Sequence, residues 1–148
     1  MDYLVLIIPI IVVFATQILK LSIDGIKGNL NFRNLFLTYG GMPSSHTAIV
    51  TSLTTVVALV EGLSSAVFAV AAIFSFIIIR DAFTFRKHLE DKSRIVNQLV
   101  KKLPESEQKK YPTLPNDLGH TVSEVIVGIV WGFSLTVLLN WLITNYLY

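Results

Sequence analysis

Two of the three histidines in this 148-residue chain stand where a helix is expected to begin. Gly40-Gly41-Met42-Pro43-Ser44-Ser45-His46-Thr47-Ala48 opens one apolar run. A glycine pair permits close backbone approach, Pro43 starts a helix, and Ser44 or Ser45 is a natural N-cap. Such a start, with its free N–H groups and positive dipole end, receives anions, and His46 falls in its first turn. The tract reads equally as an ordinary capped helix with an interfacial histidine. Gly119-His120-Thr121-Val122-Ser123-Glu124 opens another apolar run. His120 and Glu124 are four apart and share a helix face, and helical side chains lean toward the N-terminus, so Glu124 reaches back to the imidazole. A carboxylate on one ring nitrogen fixes the tautomer and leaves the other nitrogen free to attack. Thr121 through Glu124 also spells a capping box, so each tract alone leaves two readings open.

The elements that position these residues follow from composition. Hydrophobic residues make up 53% and charged residues 15% of the chain, against about 45–50% and about 25% in soluble domains. No charged side chain occurs in 3–19, 34–60, 62–79 or 125–148, and a helix needs roughly 17–25 apolar residues to cross a hydrocarbon core. The expected fold is an all-α membrane protein. It forms a single integral domain over 1–148, a bundle of four transmembrane helices at about 3–20, 43–60, 63–80 and 121–145. Asp2 in place of a basic region, with no small-residue cleavage site, marks the first run as a retained span. The absence of cysteine excludes disulfides and thiolate chemistry.

Charge sets the topology. All twelve Lys and Arg residues lie in the tracts 20–41 and 80–119, while acidic Asp2 and Glu61 fall on the other side. The positive-inside rule then puts both tracts in the cytoplasm and both termini outside a cell membrane crossed several times. Anionic head groups and orientation explain the basic residues, so no nucleic-acid partner is expected. Within the cytoplasmic segment 81–119, Phe85, Leu89, Val96, Leu99, Val100 and Leu103 recur at helical spacing. They predict an amphipathic helix that lies on the membrane face or caps the bundle, with Glu90 and Arg94 as an i,i+4 pair. Leu103-Pro104 ends it, and Pro112, Pro115 and Asn116-Asp117 form a turn. Span two is rich in Thr, Ser and Ala from Thr47 to Ala58, which suits close interhelical contact and a central place beside span four. Gly128 and Gly132 form a Gly-x-x-x-Gly pair suited to packing inside the bundle or to a homodimer.

This topology, derived without the histidines, brings both histidine tracts to one face. Lys20 arrives there at the end of span one, and Arg80 and Asp81 at the end of span three, followed by Arg86. Ionisable groups at membrane depth are costly and point to function. Two imidazoles, two anion-receptive helix starts and several cations fit phosphoryl transfer, which needs mainly positioning and charge stabilisation. Asp81 reads as a partner that orients Arg80 or Arg86. His46, His120 and Asp81 or Glu124 lack a tight metal-ligand motif, so no metal or other cofactor is expected. His88 reads as an interfacial residue of the amphipathic helix.

The tract 40–48, Asp81 with Arg86, and His120 through Glu124 and Gly128 resemble the divergent branch of the type 2 phosphatidic acid phosphatase superfamily. That branch is described as related to acid phosphatases and vanadium-dependent haloperoxidases. The resemblance implies that Pro43-Ser44-Ser45-His46 corresponds to a Pro-Ser-Gly-His motif that binds phosphate and supplies a general-acid histidine. It also implies that His120 is the nucleophile and Glu124, in place of Asp, its orienting carboxylate. Two departures stand out. Of the superfamily's first motif only Lys20 is matched, since Lys27 and Gly28 occupy the Arg-Pro positions. The Ser-Arg pair expected before the second histidine is replaced by Thr113-Leu114-Pro115, which leaves Arg86 as the substitute cation, although it also serves as a positive-inside anchor.

The resemblance implies a metal-independent membrane phosphatase acting on a lipid phosphate monoester of the phosphatidylglycerol phosphate or phosphatidic acid type at the cytoplasmic face. Ser44, Ser45, Arg86 and Lys20 would hold the phosphate, Asp81 would orient the cation, and a phosphohistidine would form on His120. The alternative from another class is a non-enzymatic lipid-phosphate binding or transport protein using the same anion site.

Overall fold

The computed structural model describes residues 3–24, 42–116 and 119–146. They form α1 (Leu4–Asp24), α2 (Ser45–Glu61), α3 (Ala66–Phe83), α4 (Phe85–Val100), α5 (Glu105–Gln108) and α6 (Val122–Tyr146), and no strand occurs among them. Local chemistry sets the helix ends. Ser44 is the N-cap of α2, so Pro43 stands ahead of the cap and not inside the helix. Gly62, at φ 83°, stops α2 in a conformation that side chains rarely adopt. The Ser65 hydroxyl accepts from the Phe68 N–H at 3.1 Å and starts α3 at Ala66, later than the expected 63. The helix α1 runs on to Asp24, which places Lys20 near its end. The helix α4 closes at Val100, ahead of Leu103-Pro104, and the short α5 follows without a clear sequence signal. Asp2, Lys27, Gly28, Arg33, Gly40, Gly41 and Asp117 lie outside the described residues.

Three stretches are long and apolar enough to cross a membrane: Leu4–Ile23, Ala66–Val100 (whose apolar part is α3) and Val122–Tyr146. The helix α2 is also apolar but has only 17 residues. It sits at the centre and packs against α1, α3 and α6, as its small and hydroxylated residues predict. The interior combines an apolar cluster of Leu4, Ile8, Val12, Ala48 and Val56 with small polar residues, while many large apolar side chains face out. Thr16, Thr47, Ala48, Ser52 and Thr136 are buried, and Leu6, Phe14, Val70, Phe76, Val130 and Phe133 are exposed. That arrangement suits a lipid surround, where close helix contact takes the place of a hydrophobic driving force.

Hydroxyls link the helices. The Thr136 hydroxyl on α6 donates to its own Gly132 carbonyl at 2.7 Å and lies 2.6 Å from the Ser52 hydroxyl on α2. Thr54 and Ser75 join α2 to α3 at 2.6 Å. The Trp131 indole N–H donates to Thr16 Oγ1 at 3.0 Å, and Thr16 itself donates to the Val12 carbonyl at 2.6 Å. The Gly128/Gly132 pair is used within the chain. A Cβ on Gly128 would lie 2.8 Å from the Ser44 carbonyl oxygen, and one on Gly132 would lie 2.5 Å from that of Ala48.

The amphipathic helix α4 turns a polar side toward the chain. Glu90 and Ser93 are its buried residues, whereas Phe85, Leu89, Val96 and Leu99 are exposed. The reason lies in the returning segment, whose irregular backbone needs partners. The Asn97 side chain donates to the Leu114 carbonyl at 2.8 Å and accepts from the Leu114 N–H at 3.0 Å. Glu90 accepts from the Gly119 N–H at 3.2 Å. The apolar stripe is thereby left on the outer side of α4.

Replacing Gly132 by leucine forces α2 and α6 apart. The expected loss is about 1–3 kcal/mol or more, read as a lower unfolding midpoint in detergent. The exposed Val130→Leu control on the same helix should shift by less than about 0.5 kcal/mol.

Candidate functional site

The start of α2 is built by Ser44. Its backbone is extended, at φ −64° and ψ 113°, and its hydroxyl accepts from the Thr47 N–H at 3.4 Å and from the Thr47 hydroxyl at 3.0 Å. Both contacts use the lone pairs of the Ser44 hydroxyl, and the residue is completely buried. The following Ser45 differs: its hydroxyl is buried and has no hydrogen-bond partner among the described residues. The amides of Ser45 and His46 belong to the first turn, outside the intrahelical ladder. A buried hydroxyl and two helix-start amides form a small donor set for an anion. His46 is exposed beside them.

At the start of α6, the two sequence readings of Glu124 hold together. Glu124 Oε2 accepts from the Thr121 N–H at 3.2 Å while the Glu124 N–H donates to Thr121 Oγ1 at 3.3 Å, which is the reciprocal capping box. The same Oε2 lies 2.8 Å from His120 Nδ1. A donor Nδ1–H leaves the Nε2 lone pair available as a base or nucleophile. The His120 side chain is only 2% exposed. One carboxylate therefore begins the helix and orients the imidazole.

The two helix starts are joined directly. The Ser44 N–H donates to the Glu124 carbonyl at 3.1 Å, a contact allowed by the absence of a side chain at Gly128. His46 stands within electrostatic reach of His120, Arg86, Lys20 and Asp81. The residues singled out by sequence thus gather at one end of the bundle. Asp81 Oδ2 accepts from Arg86 Nε at 3.0 Å, so the partner of Asp81 is Arg86 and not Arg80. Among the described residues, no three His, Cys, Asp or Glu side chains gather to hold a metal ion.

Two positioning contributions escape a reading of the sequence. Glu90 reads there as half of an i,i+4 helix pair with Arg94, yet it is also a buried carboxylate bonded to the amide of Gly119, the residue before His120. Asn97 carries no motif, and its bonds to Leu114 appear only when the returning segment folds onto α4. The Glu90 carboxyl is held below the ordinary value of 4.5. The hydrogen bond from Lys87 is the main cause, the Gly119 N–H and the charges of Lys87 and Arg94 add to it, and desolvation opposes it.

A family model described as the Divergent PAP2 family matches residues 1–135. The chain is also similar to the uncharacterized membrane protein YuiD of Bacillus subtilis (strain 168), with 39% identity over 139 residues that cover 86% of this chain and 87% of that protein. No solved structure matches.

Two outcomes follow from this geometry. Ser44→Ala should cost about 1 kcal/mol of stability through the lost cap, whereas Ser45→Ala should stay within about 0.5 kcal/mol, both read from detergent unfolding midpoints. Because the folded-state value of Glu90 lies below the unfolded one, its stabilisation is full above 4.5 and fades as pH falls through the folded value. Hydrogen exchange at the Gly119 amide should accelerate in acid relative to neighbouring amides, and Glu90→Gln should remove that pH dependence.

Proposed function

Because the chain belongs to the divergent PAP2 family, we propose that it is a membrane-embedded, metal-independent phosphatase that hydrolyses a lipid phosphate monoester through a phosphohistidine. The observation that carries this reading is the joining of two histidine-bearing helix starts at a single point, by the Ser44–Glu124 backbone bond. One imidazole there is buried and held by a carboxylate, and the other is exposed. These are the different environments that a nucleophile and a proton donor need.

In the proposed reaction the phosphate lies over the start of α2. The Ser45 hydroxyl, the helix-start amides and the Arg86 guanidinium hold it, with Lys20 nearby. Asp81 fixes the guanidinium through Nε. Nε2 of His120 attacks phosphorus, the P–N bond forms, and the P–O bond to the lipid breaks. His46 donates its proton to the departing alkoxide. His46 then takes a proton from water, whose oxygen attacks phosphorus, and inorganic phosphate leaves as His120 is regenerated. Glu124 stabilises the imidazolium throughout. The Ser44 hydroxyl accepts from Thr47 and supports the helix start, and its own proton is left to point toward the phosphate.

In the same reading α1, α2, α3 and α6 are four spans of a cell-membrane protein with both termini outside, and α4 rests on the cytoplasmic surface. The 17 residues of α2 rise about 25 Å, short of a hydrocarbon core of about 30 Å, which suits an N-terminus recessed to head-group level. An apolar groove of about 400 Å³ runs beside α2, between Thr54, Ala58, Leu59, Phe68, Phe133 and Val137. It offers lateral room for an acyl chain. A phosphate ester of the phosphatidylglycerol phosphate or phosphatidic acid type fits this arrangement.

Purified protein should release inorganic phosphate from a lipid phosphate without added metal. His120→Ala should abolish release, and His46→Ala and Glu124→Gln should each lower turnover by about 100-fold or more, with vanadate as a competitive inhibitor. Full turnover in His120→Ala would remove the assignment. Binding of the lipid without phosphate release would favour a carrier.

A further inference from the structure

The scheme above leaves one buried carboxylate unused. Glu90 on α4 is 5% exposed. Its Oε1 accepts from Lys87 Nζ at 2.9 Å and from Arg94 Nη2 at 2.6 Å, and its Oε2 accepts from the Gly119 N–H at 3.2 Å. The Lys87 and Arg94 side chains are themselves about half exposed, at 48% and 54%. Those two ion pairs need no buried carboxylate, because they would form equally on an open helix surface. What burial adds is the bond from Oε2 to the backbone amide of Gly119, the residue before His120.

Gly119 makes the same point sterically. A Cβ there would lie 3.0 Å from Glu90 Oε2 and 3.2 Å from Lys87 Cα. Gly119 thus lies against α4 more tightly than an ordinary side-chain contact, so that a Cβ would push on the carboxylate and on the helix backbone. His120 is therefore gripped from two sides by carboxylates on different helices. Glu124 of α6 holds the ring at Nδ1, and Glu90 of α4 holds the backbone that enters the residue.

We infer that Glu90 is a positioning residue for His120: it anchors the Gly119 amide, one residue ahead of the histidine, so that the imidazole meets Glu124 with its other nitrogen directed at the phosphate. The inference rests on the reading of His120 as nucleophile. Lys87 and Arg94 neutralise Glu90 without competing for the oxygen that binds Gly119. The helix α4 is in this way part of the site, though none of its acidic residues touches substrate.

The test uses the full chain in lipid–detergent micelles, with a lipid phosphate as substrate and with ¹⁵N-histidine spectra as a second readout. Glu90→Ala should lower kcat about 10- to 100-fold and leave KM within about twofold. Glu90→Gln, which keeps an oxygen facing Gly119, should recover most of the rate. Gly119→Ala should reproduce the loss. Unchanged kcat in Glu90→Ala overturns the inference, and so does a Gln variant as slow as the Ala variant, which would mean that charge and not position matters. If Glu90→Ala does not fold, Gly119→Ala decides, and wild-type kcat in it overturns the inference. If the wild-type protein releases no phosphate, the phosphatase reading fails, and the spectra judge positioning separately. The bonded Nδ1–H signal that disappears in His120→Ala should also be lost in Glu90→Ala; its survival there overturns the inference.

Discussion

The helices α2 and α6 approach until backbone meets backbone, and the rest of the structure is arranged around that approach. Gly128 and Gly132 face the carbonyls of Ser44 and Ala48 at distances that admit no side chain. The Ser44 N–H then reaches the Glu124 carbonyl, so two helix starts become one unit. In lipid there is no hydrophobic force to press helices together, and such close contact is a main source of cohesion. The small residues of α2 answer this need along its length, with Ala48 and Ser52 buried toward α6. Beyond the buried Leu4, Ile8 and Val12 of α1, many of the larger side chains of α1, α3 and α6 are left for the exterior.

The same constraint gives the candidate site its economy. Glu124 closes the capping box and meets His120 through one oxygen, while its carbonyl ties down Ser44. The Ser44 hydroxyl accepts from Thr47, and the neighbouring Ser45 hydroxyl does not. Adjacent serines thus differ: one closes the cap and the other has no hydrogen-bond partner among the described residues. The charged residues around His46 come from three other helices, and their convergence depends on how α2 is seated among its neighbours.

Much of this was legible in the sequence because it depends on local pattern. Charge-free runs marked the apolar helices, the distribution of Lys and Arg placed both histidine tracts at one end, and Gly-x-x-x-Gly announced a close contact. The Thr121–Glu124 ambiguity dissolved because the capping box and the imidazole contact are geometrically compatible. Other features depend on contacts remote in sequence. Glu90 looked like half of an i,i+4 pair, since nothing nearby reveals that Gly119 will donate to it. The polar inner side of α4 was hidden for the same reason: a helical pattern shows which residues share a face, but not whether that face meets protein or its surroundings. Helix ends shifted where a single cap decided them, as at Ser44 and Ser65.

The hydroxyls inside the bundle have a consequence for how it assembles. Thr16, Thr54, Thr55 and Thr136 each donate to the carbonyl four residues earlier on their own helix. These four protons are satisfied on their own helices, whereas the Ser75 hydroxyl on α3 donates across to the Val50 carbonyl on α2. The threonines therefore gain little on docking, and the donors that gain a partner are Ser75 and the Trp131 indole. For the threonines insertion and association are thereby decoupled, and the final arrangement is selected by shape complementarity at the glycines together with these two bonds.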